Sequence, residues 1–62
     1  MPEELQSLLN RIQKDGVEKA EAESEKILSE TRQKADKIVA DAHEEAKGIV
    51  EKGQKEAEAF SN

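Results

Sequence analysis

Apolar residues recur along this chain as adjacent pairs, Ile27-Leu28, Ile38-Val39 and Ile49-Val50, each eleven residues after the last. Eleven residues further on comes Phe60-Ser61, and eleven before the first comes Gly16-Val17. Small residues keep the same step: Ser24, Ala35, Ala46 and Ala57 form one column, and Ala20, Thr31, Ala42 and Gly53 form another. Eleven residues in three turns is about 3.67 residues per turn, close to a relaxed α-helix. At roughly 98° per residue the four columns share about 100° of arc, with the large residues at the two edges and the small ones between them. The pattern predicts an all-α fold: a single long extended helix with a hendecad (eleven-residue) repeat. Such a repeat drifts opposite to a heptad, so the helix is expected to form a right-handed or nearly straight coiled coil with partner helices. The small central columns would let two backbones come close while the large side chains close over the flanks.

Other local signals agree with helix. No Pro lies between Val17 and Phe60, and Glu, Lys and Ala dominate that stretch, all good helix formers. Acid-before-base pairs at i,i+4, such as Asp15–Lys19, Glu30–Lys34 and Glu51–Lys55, add a few tenths of a kcal/mol each. Pro2 suits a first helical turn, where its missing N–H has no intrahelical partner to lose. An unbroken helix would be on the order of 90 Å long at 1.5 Å per residue.

The amino-terminal turns differ. Leu5, Leu8, Leu9 and Ile12 are spaced i, i+3, i+4, i+7, a richer and more heptad-like face. Its centre is displaced by roughly 65° from the later stripe, and the change coincides with Asp15-Gly16, a dipeptide that also makes turns. Two segments follow: heptad-like turns over residues 1–15 and a hendecad helix over residues 16–62. They form either one helix with a change of register or a short helix hinged to a long one. The continuous form is preferred, because Gly16 keeps step with the repeat.

Composition narrows the possible functions. In 62 residues there are 15 acids against 10 Lys and Arg, for a net charge of -5, and one aromatic side chain, Phe60. A lone core in so short a chain seldom supplies enough stability without disulfides, metal or association. There is no Cys, which removes disulfides and thiolate chemistry. Neither half of the chain is basic, and there is no Trp or Tyr to stack on bases, so nucleic-acid binding is disfavoured. No apolar run exceeds Ile38-Val39-Ala40, so no segment is expected to insert in a membrane. The acidic opening MPEELQSLL lacks the basic region of a signal peptide. That leaves association with other chains, or disorder.

Candidate chemistry is thin. His43 sits just outside the apolar stripe beside Glu44 and Glu45. It is read as a solvated flank residue rather than a proton switch, and with no second soft ligand it makes no transition-metal site. Paired acids such as Glu3-Glu4 would need a cleft to perturb their protonation before serving as acid and base. No catalytic, cofactor-binding or metal-binding residue is assigned, and the chain is expected not to be an enzyme. Gly48 faces away from the stripe, whereas Gly53 falls on a small column, where close approach of a partner gives it a role.

The stretch GVEKAEAESEKILSETRQKADKIVADAHEEAKGIVEKGQKEAEAF, with the opening LQSLLNRIQKDG before it, resembles the amino-terminal helix of the E-type stalk subunit of V/A-type rotary ATPases. That family also sets small residues and aliphatic pairs in hendecad phase, framed by Glu and Lys. The soluble part of the b-type subunit of F-type ATP synthase is similar, but that protein begins with a membrane span, and this chain has no comparable run. The resemblance implies a cytoplasmic peripheral-stalk helix that pairs with a second long helix, the G-type or H-type stalk subunit, to resist rotor torque. It also implies a carboxy-terminal globular domain for which these 62 residues leave no room, so they are expected to be a fragment, forming a homo-oligomer when isolated.

The interface expected from these readings takes Leu5, Leu9 and Ile12 from the first turns, Val17, and then every member of the four columns from Ala20 to Phe60. Two rivals share the eleven-residue step. A lipid-surface helix would usually carry Lys at its polar boundary and bulky residues across its apolar face; here the centre of the face is Ala and the net charge is negative. A desiccation-type disordered chain would match the high charge, but it gives no reason for regularly spaced aliphatic pairs.

Overall fold

The computed structural model describes residues 2–61, and all of them lie in one α-helix, α1, Pro2–Ser61. The end residues of the two expected segments, Met1 and Asn62, lie outside the described residues. Helix runs through Asp15-Gly16 without a break, and no glycine has a positive φ. The change of apolar face there is therefore carried by the sequence register alone, and the hinged alternative does not occur. Pro2 occupies the first turn together with Glu3 and Glu4, whose carboxylates complement the positive end of the helix dipole. At the other end the Ser61 hydroxyl donates to the Glu58 carbonyl at 3.0 Å.

The chain divides into two units, Met1–Thr31 and Arg32–Asn62. In the first, the Gln6 amide donates to Asn10 Oδ1 at 2.8 Å, one turn on, and Lys14 lies 3.9 Å from Glu18. In the second, Lys37 Nζ donates to Asp41 Oδ2 at 2.9 Å. These two ion pairs are not the ones the acid-before-base spacing favours. Both run base first, the weaker i,i+4 orientation against the helix dipole. The side chains of Lys37 and Asp41 are 76% and 67% exposed. Pairs so well solvated are worth little, so the orientation preference is too small to select one partner over another.

Among the described residues none is buried, and no contact joins residues far apart in sequence. The large apolar side chains range from 49% exposed at Val17 to 91% at Phe60. Most helix stability in proteins comes from packing an apolar face rather than from intrinsic propensity. Among the described residues no such packing is made.

Candidate partner interface

Helical spacing gathers the expected interface residues on one face within each unit. In the first unit Val17, Ala20, Ser24, Ile27, Leu28 and Thr31 advance by three, four, three, one and three residues, a succession that keeps to one side of an α-helix. In the second, Ala35, Ile38, Val39, Ala42 and Ala46 advance by three, one, three and four. The same succession then repeats through Ile49, Val50, Gly53 and Ala57 to Phe60. Every one of these positions is exposed.

Leu5, Leu9 and Ile12 lie together near the start of the first unit, and Leu8 lies with them, 54% exposed. Leu8 is not among the expected interface residues, because it falls furthest from the later stripe. It completes the i, i+3, i+4, i+7 face all the same, so a partner covering Leu5 and Ile12 meets it as well. The signal that finds it is the spacing of the first turns, which the longer repeat outweighs.

The chemistry of this face is that of packing. Fully burying the seven large side chains from Ile27 to Phe60 would contribute at most about 1.5–3 kcal/mol each, and backbone ordering offsets much of that. Between the large residues, an ideal Cβ built on Gly53 meets no atom within 4 Å, which leaves room for a neighbouring backbone. The same holds at Gly48 and Gly16. Gly48, however, lies on the far side of the helix, where the repeat gives no partner a reason to approach.

His43 is exposed in the second unit. No group of three or more His, Asp or Glu side chains among the described residues is placed to hold a metal ion. No helix among them is long and apolar enough to cross a membrane. No protein-family model, curated protein or solved structure matches the chain.

Proposed function

We propose that this chain is a structural helix of a rotary-ATPase peripheral stalk, cytoplasmic and peripheral to the membrane-bound complex, with no catalysis of its own. In this role it pairs along its hendecad stripe with a second long helix and resists the torque of the rotor. The observation that carries the reading is the eleven-residue register of exposed aliphatic pairs on one uninterrupted helix, with small residues between the pairs. A helix whose backbone groups are paired internally transmits force along its axis. A hendecad seam lies close to the relaxed helical repeat, so a pair of such helices stores little twist at rest. The resemblance of the quoted stretch to the E-type stalk subunit supports the particular assembly.

The test is a titration with the G-type or H-type stalk helix of a V/A-type ATPase from the same source. Helicity and melting temperature should rise and reach a plateau at a one-to-one ratio. No interaction with that helix, together with tight binding to vesicles containing anionic lipid, would overturn the stalk reading in favour of a membrane-surface helix.

A further inference from the structure

The edges of the apolar stripe carry a charge pattern that the stalk reading does not use. On the count of about 98° per residue, Glu21, Arg32 and His43 run beside the edge that holds Leu28 and Val39. Glu23, Lys34 and Glu45 run beside the opposite edge, which holds Ile27 and Ile38. All six side chains are exposed. In the first unit both edges are therefore acidic at the level of residues 21–23. In the second unit both edges are basic at the level of residues 32–34.

This pattern discriminates between ways of packing a second copy on the stripe. Charges flanking a helix seam set the orientation and choice of partner. In a parallel pair, each edge faces the opposite edge of its neighbour. Two copies in register would then set Glu21 against Glu23 and Arg32 against Lys34, like charge on like charge along both sides. In an antiparallel pair, each edge faces its own counterpart with the direction reversed.

We infer that the stripe is self-complementary and that two copies of this chain associate as an antiparallel pair centred between Ile27 and Leu28. That centre sets Glu21 of one copy against Arg32 of the other, and Glu23 against Lys34. The two-fold symmetry makes each contact twice and closes the assembly at two copies. The columns agree with the charges. Near the middle of the seam Ala20 meets Ala35 of the second copy and Ser24 meets Thr31, while along the edges Ile27 and Leu28 meet their own counterparts and Val17 meets Val39. Sliding one copy by a single repeat in either direction keeps the columns matched but breaks the charges. Glu21 and Glu23 then meet their own counterparts, or Arg32 and Lys34 meet theirs. Of these three registers, only the centred one satisfies both.

The chain contains no Cys, which makes single-cysteine variants clean reporters of this geometry. Ala20→Cys and Ala35→Cys chains, mixed in equal amounts and equilibrated in a thiol–disulfide buffer, should yield the mixed disulfide several-fold above the two symmetric ones, because only opposed positions bring the sulfurs into bonding range. Symmetric disulfides in excess, a statistical mixture, or no disulfide-linked dimer at all would each overturn the inference. As a second readout, Glu21→Lys with Glu23→Lys should abolish the dimer in sedimentation equilibrium. Adding Arg32→Glu and Lys34→Glu to the same chain should restore it. Failure of the fourfold variant to restore the dimer, while its circular dichroism stays helical, also overturns the inference. The inference does not rest on the stalk reading. A chain that ignores the second stalk helix but still forms the mixed disulfide loses the one and keeps the other.

Discussion

Gly48 and Gly53 are alike in the isolated helix and should part company once a partner is present. An added Cβ at Gly48 meets nothing within 4 Å, and the backbone there is helical with no positive φ. Gly48→Ala therefore introduces neither a clash nor strain, and the remaining effect is the difference in helix propensity, about 0.8–1.0 kcal/mol in favour of Ala. That corresponds to roughly a fivefold shift in the local opening equilibrium. Amide hydrogen exchange across the neighbouring turns should slow by about that factor, and the thermal midpoint followed by circular dichroism should rise. Gly53→Ala should do the same in the dilute, unpaired chain, because its surroundings are equally open. Under conditions of association the two positions should diverge. Gly48→Ala should strengthen pairing, because less ordering remains to be done on binding, whereas Gly53→Leu should weaken it by filling the space where a neighbouring backbone comes close. A Gly48→Ala chain that exchanges faster or associates more weakly than the parent would show that the far face of the helix is in contact with something, and the stripe would no longer be the sole interface.

Other expectations follow from the same geometry. Ile38→Asp places a charge at the edge of the stripe and should abolish association in sedimentation equilibrium, whereas Lys37→Ala, one position away, should leave it nearly unchanged; equal effects from both would count against the stripe. Asp41→Asn removes the shortest ion pair of the helix and should change the thermal stability of the unpaired chain by only about 0.2–0.5 kcal/mol, since both partners are well solvated. A crystal structure of any helix pair built on Gly16–Phe60 should show right-handed or negligible supercoiling; a sustained left-handed supercoil there would refute the hendecad reading.

The helix itself is legible in the sequence for reasons that can be named. Its period is set by Ile27, Ile38 and Ile49 with the small residues between them, and no Pro or run of β-branched residues competes. Continuity at Asp15-Gly16 is legible too, because Gly16 keeps the step of the repeat on both sides. The ion pairs are not. Asp15–Lys19 and Lys14–Glu18 occupy overlapping turns, and their energies differ by less than thermal motion, so spacing alone cannot choose between them. Leu8 escapes a reading in which the longer repeat defines the whole face, since the first turns follow a different count. What the stripe would pack against is legible only as a chemistry that suits small centres and aliphatic edges, because the energy that selects one helix over another resides in both chains.

A helix whose described residues include no buried side chain and no contact between distant positions also has no tertiary contact to hold its turns closed. Its turns open and close locally, on the sub-microsecond scale typical of helix–coil exchange, and each opening presents a short length of bare backbone. Proteolysis of such transient openings follows their equilibrium population. An unpaired copy is thus cut readily at many sites, while a paired one is shielded along the covered face and held closed elsewhere. If the chain pairs as proposed, its lifetime in the presence of proteases would be set by the supply of that second helix.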